Sequence, residues 1–359
     1  MNIAQLLLHW FNAHARTLAW KEDRDPYKIW VSEILLQQTR VAQADGYYSR
    51  FLLRFPNVQV LASSPLDDLL RLWQGLGYYS RARNMHAAAR QIVSEYGGIF
   101  PSTPQELAQL KGVGSYTAAA IAAFAFNYPI VALDGNALRI LSRLFGEDCP
   151  IDSKEAHKVF TALAAHILPP SQADVFNQAL MDFGSLVCTP TPKCGCCPLS
   201  RFCVACSQNR VKDLPVKRKK APPRHRYFTF LHIQQQDLIY IQQRKQKDIW
   251  QGLYQFPLIE SPEPLTVEHL EAHPDWVKIL GPSPASFGAY SSEYIHKLTH
   301  QTLHSHFVHL QIEKESTWLL ENCQKIHINY LDNFGIPRLL ERYLSDLSNH
   351  AHTPRQNKT

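Results

Sequence analysis

The first twenty residues, "MNIAQLLLHWFNAHARTLAW", set Ile3, Leu6, Leu7, Trp10 and Phe11 at the three- and four-residue spacing of an amphipathic helix. Segments of this kind, each about ten to fifteen residues long, recur to about residue 185. Between them stand "FPNV", "SSPLDD", "YGGIFPSTP" and "LDGN", whose proline, glycine, Asn and Asp mark turns. The pattern predicts an all-α first domain. Past residue 226 the period changes. "YFTFLHIQQQDLIYIQQRK" gathers β-forming residues on either side of a polar tip and predicts a hairpin. "THQTLHSHFVHLQIEKE" predicts a further strand and "IPRLLERYLSDL" a closing helix, so a smaller α+β domain is expected over 227–348.

Between the two patterns lies "SQNRVKDLPVKRKKAPPRHR" (207–226), basic, proline-containing and poor in large apolar residues, as expected of an exposed linker. Residues 349–359 are expected to form a disordered tail. The longest wholly apolar run, Ala118–Phe126, is too short to span a bilayer. The N-terminus lacks a basic n-region followed by a small-residue cleavage site. These features lead to the expectation of a cytoplasmic monomer with no membrane partner.

Composition adds three things. With 359 residues, 45% hydrophobic and 19% charged, the chain suits two globular domains with cores of their own. Its net charge of +6 permits a polyanionic partner. Six of its eight cysteines fall within nineteen residues, Cys188 to Cys206, and in a reducing compartment such clustering points to metal rather than disulfides. Cys188, Cys194, Cys197 and Cys203 are spaced C-x5-C-x2-C-x5-C. Four thiolates suit zinc or an iron–sulfur cluster, and a single short knuckle with long outer steps leans toward the larger group. Cys196 and Cys206 are left over.

"LKGVGSYTAAAIAAF" (110–124) reads as a helix ending at Leu110, a tight turn through Gly112 and Gly114, and a second helix beginning at Ser115. Free N–H groups at that helix start suit an anion such as a nucleic-acid phosphate, and an ordinary cap between packed helices is the alternative. Two carboxylates stand out nearby. Glu33 lies in the apolar stretch "WVSEILLQQTR", where burial would raise its pKa and keep a proton available, unless it forms a helix-surface ion pair. Asp134, in "PIVALDGNALRIL", sits at a turn that suits an exposed, ionised carboxylate or the N-cap of the next helix. One protonated acid and one carboxylate are what cleavage of a glycosidic bond requires. "LLQQTR", which includes Gln37, and "WQGLGYYSRARN" add side chains suited to phosphates and to wedging between bases.

Taken in order, "LAWKEDRDPYKIWVSEILLQQT", "LWQGLGYYSRARN", "LKGVGSYTAAAI", "LDGNALRI", "FNQALMDFGSLVC" and the cysteine loop resemble the MutY-type adenine DNA glycosylases, relatives of endonuclease III. The resemblance runs over nearly the whole chain. It implies an all-α helix-hairpin-helix glycosylase domain over 1–206, with a [4Fe-4S] loop at 188–203, followed by an α+β Nudix-like domain. It implies removal of adenine paired with 8-oxoguanine or guanine in double-stranded DNA, within base excision repair. Glu33 would then protonate adenine at N7 and Asp134 would stabilise the oxocarbenium ion at C1′, with Tyr116 and Asn136 in support. Arg16, Trp20, Leu36 and Asp182 would line the adenine pocket. Gln38 and Tyr78, with Leu76 and Thr39 beside them, would fill the gap left by the flipped base. Gly112 and Gly114 would hold the DNA backbone.

In the C-terminal domain, "KDIWQGLYQFPLIE" and "HKLTHQTLHSHF" resemble the family's 8-oxoguanine reader. His300 matches the last residue of its Phe-Ser-His signature, with Leu298 and Thr299 in place of Phe and Ser. The first cysteine spacing is one residue shorter than the family's.

Three rival functions follow from the same motifs. An endonuclease III-like lyase needs an amine where this chain has Tyr116. A nucleotide pyrophosphatase needs a run of glutamates that does not follow "QGLYQFPLIE". A non-catalytic iron–sulfur DNA-binding protein has no need of Glu33 and Asp134.

Overall fold

Among the described residues, eleven helices carry the chain from Ile3 to Leu186, as the hydrophobic period predicts. The computed structural model describes residues 1–21, 23–219, 221–281 and 285–351. Helix starts follow their capping residues. Asn2 and Gln5 form a reciprocal capping box ahead of the Ile3–His14 helix. Asp25 caps the Pro26–Leu36 helix, whose first residue is proline. Leu7, Trp10 and Phe11 of the first helix pack with Ile140, Leu141, Phe176, Leu180 and Phe183 in one core. The Ser115–Phe126 helix is buried throughout Thr117–Ala123, which explains why its sequence has no polar face.

The chain forms two compact units: Met1–Ser63 with Asn84–Lys220, and Ser64–Arg83 with the residues from Ala221 onward. The helical stretch 64–83, which the period alone groups with the first domain, therefore belongs to the second unit. The reason is local packing. Arg83 donates to the Gln251 carbonyl at 2.7 Å, and a Cβ placed on Gly252 would come 3.0 Å from Leu70 Cδ1.

The second unit is built on an eight-stranded sheet: β1 (Arg224–Gln235), β2 (Leu238–Gln243), β3 (Tyr254–Gln255), β4 (Leu258–Ser261), β5 (Ala285–Tyr290), β6 (Tyr294–Lys297), β7 (Gln301–Ile312) and β8 (Gln324–His327). The order is β3-β2-β1-β7-β5, with β4 on β1, β6 on β7 and β8 on β2. The β1–β2 hairpin turns at the polar tip. Strands β1 and β7 run parallel and bring Phe230 opposite Phe307, their rings stacked at 5.0 Å. The closing helix, Arg338–Ala351, lays Tyr343 on Phe307 at 3.9 Å. This helix takes in the first residues of the expected tail, and 352–359 lie outside the described residues.

The expected linker differs more. Strand β1 begins inside it, at Arg224, whereas residues 207–216 pack as part of the helical unit. Leu214 is buried, and its carbonyl accepts from Arg143 Nε at 2.9 Å. The Val216 carbonyl accepts from Ile151 N at 3.0 Å, and Asp152 accepts from Arg218 N at 3.0 Å. Charge dominates the composition of this stretch, but one leucine and two carbonyls are enough to fix its path. No described helix is long and apolar enough to cross a membrane.

Candidate active site

Glu33 is carried on the Pro26–Leu36 helix, which is buried from Ile29 to Leu35. Its Oε2 accepts a 2.6 Å hydrogen bond from the Tyr116 hydroxyl, at the start of the Ser115–Phe126 helix. Burial pushes the Glu33 pKa up to about 7; the Tyr116 hydrogen bond lowers it and the nearby Asp134 charge raises it. Burial also pushes the Tyr116 phenol well above its ordinary value, so it stays a donor.

Asp134 resolves its two sequence readings by fulfilling both in part. It caps the Gly135–Phe145 helix, with Oδ1 accepting from Ala137 N at 2.7 Å, and Oδ2 accepts from Asn136 Nδ2 at 2.8 Å. It is recessed rather than exposed. Burial raises its pKa, opposed by the Ala137 and Asn136 hydrogen bonds.

Both carboxylates line one cavity of about 690 Å³, together with Tyr116 and Asn136. Of the expected pocket and DNA residues, Arg16, Trp20, Leu36, Gln37, Gln38, Thr39 and Asp182 also line it. Asp182 is fully buried and takes Arg16 at 2.7 Å and Lys21 at 2.6 Å. Lys21, on the same wall, was not singled out by the sequence; burial lowers its pKa, opposed by Asp182. Gln37 donates to Thr117 Oγ1 at 3.2 Å.

The hairpin differs slightly from its reading. The helix before it is a single turn, Pro104–Leu107, after which the chain turns through Leu110 to Gly112. Gly112 has φ +77°, and a Cβ there would lie 2.5 Å from Asn84 Cβ, so only glycine fits. Gly114 is the extended N-cap of Ser115–Phe126 and has open space where a Cβ would stand.

Leu76, Tyr78, Thr299 and His300 belong to the second unit. Thr299 and His300 form the tip between β6 and β7, closed by Leu298 N donating to the Gln301 carbonyl at 2.8 Å. The Tyr78 and Thr299 hydroxyls are 2.7 Å apart. Gln38 (φ +57°) and Tyr78 (φ +48°), the two expected wedge residues, both hold left-handed backbone, a conformation non-glycine side chains seldom adopt.

Cys188, Cys194, Cys197 and Cys203 line a small cavity of about 30 Å³, joined by Cys206; exposed Cys196 does not. Among the described residues no three or more His, Cys, Asp or Glu side chains converge as a metal-holding group. The donor chemistry fits a thiolate-bound metal cluster. Arg143 Nη1 stands 3.5 Å from Cys188 Sγ, a cation beside the sulfurs that would favour their thiolate form. Another residue the sequence reading missed, Arg139, joins this loop to the carboxylate site. Its guanidinium donates to the Cys188 carbonyl at 2.7 Å, to the Gly184 carbonyl at 2.8 Å and to Asn136 Oδ1 at 2.7 Å. Gly184 makes room for Asn136, whose Cβ would lie 2.5 Å from any side chain there. An arginine one helical turn from Asn136 in "LDGNALRI" is the only signal the sequence carried.

The profile of the HhH-GPD superfamily of base excision DNA repair proteins matches residues 31–165, and that of the NUDIX domain matches 228–346. An adenine DNA glycosylase from Buchnera aphidicola subsp. Baizongia pistaciae (strain Bp) is 36% identical over 323 residues, 89% of this chain and 88% of its own length. The chain belongs to the adenine DNA glycosylase family. The family's mouse member is 33% identical over 349 residues, covering 82% of this chain and 67% of its own. Among solved structures, a thermostable thymine-DNA glycosylase matches 57% of this chain and 95% of its own at 29% identity and a TM-score of 0.54. A non-covalent endonuclease III–DNA complex, at 24% identity and a TM-score of 0.50, shares the fold over the same 57%.

Proposed function

We propose that the enzyme hydrolyses the N-glycosidic bond of adenine standing opposite 8-oxoguanine or guanine in duplex DNA and leaves the strand intact. The observation that carries this reading is the meeting of a buried Glu33, its pKa raised to about 7, with the helix-capping carboxylate of Asp134 in one cavity. Glu33 donates its proton to adenine N7. The bond to C1′ then breaks with its electrons moving onto the base, while the Asp134 carboxylate stabilises the cationic sugar; water bonds to C1′ and its released proton returns to the Glu33 carboxylate. Tyr116 holds Glu33, and Asn136 orients Asp134. Arg16, Trp20, Leu36 and Asp182 shape the base pocket.

Gln37, Gln38, Thr39, Leu76 and Tyr78 engage the opened duplex, and Gly112 and Gly114 approach its phosphates. Thr299 and His300 read the oxidised base. Cys188, Cys194, Cys197 and Cys203 would hold a [4Fe-4S] cluster, which would brace the loop they stand in and give it redox chemistry.

Incubation with duplex containing adenine opposite 8-oxoguanine tests the reading. Strand breaks that appear only after alkali support it. Breaks without alkali overturn the monofunctional part, and the absence of adenine release overturns the whole.

A further inference from the structure

Tyr78 stands in a loop that does not hold itself by regular structure. Between Trp73 and Tyr79 the backbone passes through left-handed conformations at Gly75 (φ +91°), Gly77 (φ +70°) and Tyr78 (φ +48°). A tyrosine persists there only where its surroundings over-determine it. Some of the bracing is internal: Trp73 Nε1 donates to the Gly77 carbonyl at 3.1 Å, and Arg81 Nη2 donates to the Leu76 carbonyl at 3.3 Å and the Gly77 carbonyl at 3.2 Å. The rest comes from far along the chain. Gln74 Nε2 donates to Glu341 Oε1, the Tyr78 hydroxyl meets Thr299, and the Tyr79 hydroxyl reaches the Ile336 carbonyl at 3.5 Å. Glu341 is itself fixed, its other oxygen accepting from Arg338 Nη1 at 2.6 Å on the same closing helix. Its side chain is 16% exposed.

We propose that Glu341, through Gln74, is a positioning residue that sets the backbone on which Tyr78 is presented to DNA. The inference rests on the reading of Tyr78 as a wedge in the opened duplex. It adds that the closing helix of the sheet domain shapes the duplex-engaging loop, so part of that domain's contribution to binding passes through residues that never touch DNA. Glu341 suits a clean test for that reason. Trp73 and Arg81 are buried and their loss would disturb packing, whereas Thr299 stands in the expected reader loop.

The experiment is a double-mutant cycle on the full chain, measuring Kd for duplex with adenine opposite 8-oxoguanine and the single-turnover excision rate at saturating enzyme. Glu341→Ala and Gln74→Ala are each expected to raise Kd roughly tenfold, the scale of one hydrogen bond to a charged acceptor. The saturated rate should stay within about twofold of wild type, and the double variant should be no worse than either single one, as coupled partners require. Glu341→Gln keeps an oxygen acceptor for Gln74 and is expected to restore most of the affinity, which a general loss of folding would not allow. Additive effects, or no recovery with Gln, overturn the inference. Tyr78→Ala separates the two layers. If it weakens binding while Glu341→Ala does not, the positioning role alone fails. If Tyr78→Ala binds as tightly as wild type, the wedge reading fails and the inference goes with it.

Discussion

Tyr116 donates a 2.6 Å hydrogen bond to Glu33, and that bond works against the burial that keeps Glu33 protonated. It favours the carboxylate form, so it holds the acid near neutrality rather than above it. Excision should therefore fall as pH rises through about 7, where Glu33 loses its proton. Tyr116→Phe removes the opposing bond and should move that descending limb to higher pH, with a maximal rate about tenfold lower from poorer positioning. Single-turnover rates across pH 5 to 9 check it; an unmoved or lowered limb contradicts the arrangement.

Glu33 holds its proton more tightly in the folded chain than in the unfolded one, so its contribution to stability is greatest below the ordinary carboxyl value of 4.5. That contribution declines as pH rises toward about 7 and is gone above it. Glu33→Gln is neutral throughout. It should abolish excision yet make the protein more stable at pH 8 by up to about 3 kcal/mol, with the advantage shrinking toward pH 5. Denaturant melts at the two pH values measure the difference.

Asp134→Asn separates a cap from a catalyst. Asparagine caps a helix about as well as aspartate, so the Ala137 hydrogen bond and the melting temperature should survive. The negative charge proposed to stabilise the cationic sugar would not, and excision should drop by about 100-fold or more. A large loss of melting temperature would show that the carboxylate's role is mainly structural.

The two hairpin glycines should respond differently. Gly112→Ala forces a side chain into Asn84 at a left-handed position and should destabilise the protein by about 1–3 kcal/mol. Gly114→Ala meets open space and an ordinary extended backbone, so stability should hold while duplex affinity falls several-fold. Thermal melts paired with duplex titrations distinguish the two effects.

Within the cysteine loop, Cys196→Ser should leave iron content and visible absorbance of the purified protein unchanged, because Cys196 faces away from the shared cavity. Cys203→Ser should lower both sharply. Equal retention of iron in both variants would remove Cys203 from the ligand set.

Much of this was legible in sequence because the signals are local. A carboxyl in an apolar helix, an aspartate one residue ahead of a helix, and clustered cysteines each carry their physical meaning within a few positions. Arg139 and Lys21 were not legible for the opposite reason. An arginine on a helix or a lysine near a turn is ordinary until the fold brings Cys188, Gly184 and Asn136, or Asp182, around it. The packing of the linker's first half is not legible in composition, where charge outweighs a single leucine, although Leu214 is buried and held by Arg143. Residues 64–83 follow the helical period and lie within the family profile over 31–165, yet they pack with the second unit, and period says nothing about which core a helix joins.

That last segment bears on how the protein can be taken apart. Because Ser64–Arg83 folds with the unit that otherwise begins at Ala221, no single break in the chain separates the two units. A fragment ending near residue 220 would carry Leu70 without Gly252 and Gly335, beside which it packs. A cut after Lys220 therefore leaves residues 64–83 on the helical fragment and parts them from the unit they pack with.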